Sequence, residues 1–220
     1  MKERGIIFNG EMVRATLSGQ KTQTRRVVAN VSPDNCLVLR KPTKTKNGVY
    51  THVLDSPQHD LCPFGKVGDR LWVRETFNGF WLDDDAIQEI KDGISKASEL
   101  CDYRSDYPDS SQPVGGWTPS IHMPRWASRI LLEITEVRVE RLNDISEEDA
   151  KAEGVRRVAD NFGNGPAHCD YLMPDLNDVA EWFRFADDSF KSLWSSIYGT
   201  ESLQANPWVW AITFKRIEGA

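Results

Sequence analysis

The sequence predicts an α+β fold, a small, partly closed β-barrel with short helices at its ends. Three observations predict it. Short apolar or alternating segments recur along the 220 residues, helix-period stretches are few, and strands and helices do not alternate as βαβ units do. An apolar content of 40% and a charged content of 27% suit a globular chain large enough to bury a core.

In chain order, residues 5–8 form a short apolar strand segment, and 11–17 a helix with Met12, Val13, Thr16 and Leu17 on one side, closed by Gly19. Residues 22–28 read as a strand. From 32 to 60 the chain is polar and broken by Pro33, Pro42, Gly48 and Pro57, with strand-like pieces at 36–40 and 50–54, the pattern of an inserted hairpin. The turn-rich stretch 63–69 leads into a strand at 70–77, in which Leu71, Val73 and Glu75 alternate with Arg70, Trp72, Arg74 and Thr76. Residues 83–100 read as a helix through Ile87, Ile90, Ile94 and Ala97, and the prolines and glycine pair that follow, up to Arg125, as an ordered loop.

The longest strand signal is 129–142, with Ile130, Leu132 and Ile134 on one face and Leu131, Glu133, Thr135, Val137 and Val139 on the other. Ser146-Glu147-Glu148-Asp149 starts a short helix ended by Gly154. Residues 155–175 read as a loop, 176–185 and 189–198 as helices with Trp182 and Trp194 as core anchors, and 207–217 as a closing strand.

A net charge of −6 means that any nucleic-acid contact must come from a local basic patch, and it favours a nucleoside-sized ligand over a long backbone. No window has the apolar length of a membrane span, and Met1-Lys2-Glu3-Arg4 lacks a signal-peptide core, so a cytoplasmic protein without a membrane partner is expected. Cys36, Cys62, Cys101 and Cys169 are scattered without a Cys-x-x-Cys pair and read as free thiols. His59 with Cys62, and His168 with Cys169, have donor chemistry for zinc, but their spacing demands no metal, and neither a metal nor a cofactor is assigned.

The most informative stretch is Gly19-Gln20-Lys21-Thr22-Gln23-Thr24-Arg25-Arg26. As a strand it sets Thr22, Thr24 and Arg26 on one side and Lys21, Gln23 and Arg25 on the other. An amine near a hydroxyl is one route to an oxygen nucleophile, and the arginines suit phosphate or carboxylate. Glu133, a carboxylate in a largely apolar row, reads either as an acid/base group tuned by burial or a neighbouring cation, or as a rim residue. Trp117, His122 and Trp126 offer stacking surfaces and equally well pack.

Gly19, Lys21, Thr24 and Arg26 after a short amphipathic helix resemble the Gly-x-Lys-x-x-(Glu/Thr)-x-Arg motif of the ASCH family, relatives of the PUA RNA-binding fold. Gly68-Asp69 into Arg70-Leu71-Trp72-Val73, the strand around Glu133 and the closing strand resemble further blocks of that family. The resemblance implies one elaborated PUA-like domain over 1–220, with core blocks at about 5–28, 64–77, 126–154 and 206–217. Insertions then fall at about 33–60, 78–120 and 155–205. With Trp72-Val73-Arg74-Glu75 and His122-Met123-Pro124-Arg125-Trp126, the elongated form looks like proteins carried by tailed phages and prophages.

Threonine at the sixth motif position is similar to a branch of amidohydrolases that deacetylate N4-acetylcytidine. That implies Thr24 as nucleophile, Lys21 as its activator and Glu133 as general acid/base, with Arg25, Arg26, Arg74, Glu75 and Trp126 at the substrate. The alternative is a non-catalytic module that binds RNA or a modified nucleotide, using Arg25, Arg26, Arg74 and Arg125 for phosphates and Trp117 or Trp126 for stacking. A ribonuclease is the third reading. The expected partner is therefore a nucleoside, a nucleotide or RNA.

Overall fold

The computed structural model describes residues 1–158, 167–173 and 182–217. The strands and helices in chain order are β1 (Glu3–Ile7), α1 (Gly10–Leu17), β2 (Gln23–Val27), β3 (Cys36–Arg40), β4 (Val49–His52), β5 (Arg70–Arg74) and β6 (Phe77–Asn78). There follow α2 (Asp84–Lys91), α3 (Ala97–Leu100), β7 (Asp102–Tyr103), β8 (Leu131–Arg141), α4 (Glu147–Ala152), β9 (Arg157–Val158), β10 (Ala167–His168), α5 (Ala186–Tyr198), α6 (Thr200–Gln204) and β11 (Trp208–Ile217). The fold is α+β with mixed strand pairing. The chain divides into two compact units, one of residues 1–19, 67–135 and 214–220, the other of 20–66 and 136–213. The long strands β8 and β11 give a segment to each.

In the first unit the strand order is β1-β5-β8-β11. β1 runs parallel to β5, with Gly5 opposite Trp72. β5 runs antiparallel to β8, with Arg70 opposite Glu133. The alternation read from 70–77 is realised: Leu71 and Val73 are buried while Arg70, Trp72 and Arg74 are partly exposed. A satellite core of Phe77, Cys101, Tyr103, Met123 and Ala127 carries Trp126 and Leu82 packed against it. The helix expected over 83–100 is broken. Asp83 caps its start by accepting from the Ala86 amide at 2.8 Å. Gly93, at φ +73°, ends it: Gly93 N–H donates to Ile90 and Ile94 N–H to Glu89, so the last carbonyls are satisfied at the turn.

In the second unit the order is β8-β11-β2, and β3 and β4 form a separate antiparallel hairpin within the 33–60 stretch. β2 lies antiparallel to β11, with Thr24 opposite Ile212 and Arg25 opposite Ala211. Ser146 caps α4 by accepting from the Asp149 amide at 3.1 Å. The helix expected from 189 starts three residues earlier, because the Glu147 carboxylate accepts from the Ala186 and Asp187 amides at its first turn. Of the helix expected over 176–185, residues 176–181 lie outside the described residues, and Trp182–Phe185 are not helical. Leu142, Ala150, Phe190, Leu193, Trp194 and Val209 are among the residues of this unit's core.

The expected barrel closure is corrected. Among the described residues each unit holds an open run of strands, with β1 at one edge in the first and β2 at one edge in the second, and neither closes on itself. Strand periodicity reports which face of a strand is covered but carries no information on whether the outermost strands meet.

Candidate functional site

The Lys21 to Arg26 stretch lies in the second unit, and four of its six residues are buried, while Thr22 is exposed and Arg26 partly so. Lys21 is 2% exposed, Gln23 3%, Thr24 1% and Arg25 3%. The Lys21 Nζ donates to Glu153 Oε2 and to the Glu153 backbone carbonyl, each at 2.8 Å. Burial pushes the amine below its ordinary range, against the opposing pull of the Glu153 carboxylate. Glu153 sits just past the end of α4, where Gly154 (φ +84°) ends the helix. The Thr22 amide donates to the Ala152 carbonyl at 2.8 Å and helps hold the two segments together.

Arg25 is the hub of this group. Its Nε donates to Glu140 at 2.8 Å, and Nη1 donates to Gln23 at 2.6 Å and to Glu153 at 3.1 Å. Nη2 bonds Glu140 and Asp149, and the guanidinium lies 5.7 Å from the centroid of the Phe190 ring. Arg138 joins from β8, bonded to Glu140 at 3.0 Å and to Asp149. Burial pushes Asp149 upward, but the Arg25 and Arg138 charges outweigh it and hold the carboxyl below its ordinary value. The carboxylates here match or exceed the cations, so the cluster projects no strong positive field.

The other sequence candidates fall as follows. Arg26 is partly exposed and its Nη1 donates to the Tyr198 hydroxyl at 3.3 Å. Glu133 belongs to the first unit, where its carboxylate pairs with Lys215 at 3.0 Å with about a third of its side chain exposed. Arg74 donates to the Ile121 carbonyl and lies over the Trp72 ring. Glu75 is 2% exposed. It accepts from Arg129 Nε at 3.0 Å, Arg129 Nη2 at 3.1 Å and Ser105 Oγ at 2.9 Å. Arg129 also binds Asp106 and lies 3.9 Å from the Tyr103 ring centroid. Burial opposes the Arg129 charge, yet Asp106 and Glu75 hold it above its usual range. Trp126 stands edge-on to Phe77, centroids 6.4 Å apart, beside Arg125, whose Nε donates to Glu3 at 2.9 Å. Trp117 donates its indole N–H to the Ser111 carbonyl, and His122 is exposed.

Among the described residues no group of three or more His, Cys, Asp and Glu is arranged to hold a metal ion. No helix among them is long and apolar enough to cross a membrane.

Sequence reading missed Glu153 and the carboxylates around Arg25. The signal was present in the short capped helix ending Glu153-Gly154, which places a carboxylate at the end of α4, but nothing in spacing ties it to a lysine 132 residues away. Comparison of the chain with family models, with curated proteins and with solved structures finds no match.

Proposed function

We propose that the chain is an amidohydrolase that removes an acyl group from a modified pyrimidine nucleoside such as N4-acetylcytidine. One observation carries the reading: a fully desolvated lysine amine, held 2.8 Å from a carboxylate, three residues before a threonine in the adjoining strand. Burial that depresses the amine eases passage of its proton to Glu153, and so access from the resting ion pair to the neutral form able to take a hydroxyl proton. The balanced charges around Arg25 favour an uncharged nucleoside amide over a phosphodiester at this place.

In the proposed reaction the cover over Thr24 opens, Lys21 passes a proton to Glu153, and the Thr24 hydroxyl, brought within reach of the neutral amine by that opening, attacks the acetyl carbonyl and gives its proton to Lys21. Glu153, protonated by Lys21 through their direct contact, is the acid in this scheme and delivers that proton to the departing N4 nitrogen. The C–N bond breaks, cytidine leaves, and water then hydrolyses the Thr24 ester to acetate. Thr24 is covered by its surroundings, so turnover waits on their opening.

The test is incubation of the full chain with N4-acetylcytidine, with cytidine and acetate resolved by chromatography and the Thr24 peptide examined by mass spectrometry. Turnover by the unaltered chain, an acetylated Thr24 peptide in quenched samples and loss of both in Thr24→Ala are expected. Glu153→Gln is expected to slow the reaction by about 10²–10⁴-fold. No turnover at high enzyme concentration, or turnover unchanged in Thr24→Ala, refutes the reading.

A further inference from the structure

The first unit holds a cavity of about 640 Å³, within the usual span of small-molecule sites. It uses none of the residues of the Lys21–Glu153 group. Its wall brings together Lys91 at the end of α2, Lys96 just before α3, and Arg125, Trp126 and Arg129 from the segment preceding β8. Among the described residues no Asp or Glu lines it.

The cations are not equivalent. Arg129 is held from behind by Glu75 and Asp106, and Arg125 by Glu3, so their charges are largely compensated. Lys91 and Lys96 have no ion-pair partner among the described residues. An uncompensated pair of ammonium groups on a concave wall suits an anion with several oxygens, for which lysine is an effective point-charge ligand. The break between α2 and α3 creates this pairing: the Gly93 turn ends α2 just after Lys91, and Lys96 follows within a few residues.

The indole of Trp126 supplies the second recognition element. Phe77 stands edge-on to it and the satellite core packs against it, so the ring is fixed before any ligand arrives. A fixed indole beside ammonium groups fits a planar ring that carries a phosphate.

We infer that this cavity binds a phosphorylated aromatic small molecule of the mononucleotide class, with the phosphate at Lys91 and Lys96 and the base on Trp126. The ligand is held without a metal or covalent bond, and affinity falls with added salt because ammonium–phosphate contacts are screened.

The test is calorimetric titration of the full chain with CMP, UMP, AMP and GMP. Cytidine probes the base without phosphate, ribose 5-phosphate the phosphate without base, and a single-stranded oligonucleotide an extended backbone. Saturable binding of at least one mononucleotide is expected, weaker by about tenfold or more for both truncated probes. Lys91→Ala with Lys96→Ala, both exposed positions, is expected to weaken it by about tenfold or more and to flatten its salt dependence. Trp126→Leu is expected to reduce the advantage of the mononucleotide over ribose 5-phosphate while leaving binding of the latter unchanged. Circular dichroism and thermal melting establish that the variants fold. No saturable mononucleotide binding by the unaltered chain, oligonucleotide binding alone, or mononucleotide affinity unchanged in both folded variants overturns the inference.

Discussion

Replacing Glu153 by glutamine keeps the size of the side chain, removes its charge and turns one of its two acceptor oxygens into a donor, so it tests what that carboxylate does for Lys21 and Arg25. In the folded chain Glu153 accepts from Lys21 at 2.8 Å and from Arg25 at 3.1 Å, with the Lys21 and Arg25 side chains sealed from water. Arg25 keeps Glu140 and Asp149 after the change, but Lys21 loses the charge that opposes its desolvation. Removing one partner of a buried pair typically costs about 3–5 kcal/mol, because the remaining charge stays buried without compensation. At about 2 kcal/mol per M of urea, the unfolding midpoint falls by roughly 1.5–2.5 M.

The deficit also depends on pH. Lys21 in the variant sits further below its unfolded value of 10.5 than in the unaltered chain, so the variant's folded state gives up its proton first as pH rises. Over that interval the unfolded state binds more protons and stability rises with pH, so the gap narrows toward pH 10.5. Urea denaturation followed by circular dichroism at pH 7 and pH 9.5 measures both. A loss below about 1 kcal/mol at pH 7, or a gap that widens with pH, refutes the assignment of a buried, charge-compensated lysine.

Two further outcomes are expected. Burial pushes the His168 imidazole below its ordinary 6.5, and neither ring nitrogen finds a hydrogen-bond partner among the described residues. The neutral ring is therefore the folded form: its contribution is complete above the unfolded value of 6.5 and declines as pH falls below it. Unfolding free energies from urea denaturation between pH 7.5 and 5 should drop more steeply for the unaltered chain than for His168→Leu, by up to about 1.4 kcal/mol per pH unit, and equal slopes refute this. Gly19→Ala should destabilise by about 1 kcal/mol, since φ is +78° and an added Cβ meets no atom within 4 Å, leaving backbone strain as the cost. Gly19→Asn should cost less in the same denaturation assay, because asparagine tolerates the left-handed region better; equal losses for the two refute a conformational role.

Much of the secondary structure was legible because it is written in local rules. The alternation at 70–77, the cap at Ser146 and the turn residues around the β3–β4 hairpin all act within a few positions of the chain. The break at Gly93 is masked in the sequence by the apolar spacing of Ile87, Ile90, Ile94 and Ala97, but Ile94 lies between the two helices and is exposed. Barrel closure was not legible, because it depends on which strands become edges.

The candidate site divides along the same line. Strand parity placed Lys21, Gln23 and Arg25 on one side, and all three do share a single buried cluster. Parity could not say what faces them. Burying an amine and a guanidinium in neighbouring positions of one row demands carboxylates of matching geometry, since isolated buried charges are too costly to persist. A reader of the sequence could therefore infer that partners must exist without knowing whether they come from Glu133, Glu136, Glu140, Asp149 or Glu153, all of which lie in one acidic stretch from β8 through α4. The fold resolves the choice through two local devices. β8 carries Glu140 to Arg25, and the glycine turn after α4 presents Glu153 to Lys21. That is why the partner of Lys21 is a carboxylate at a helix end: the lysine amine, not the periodicity of a strand, selects it.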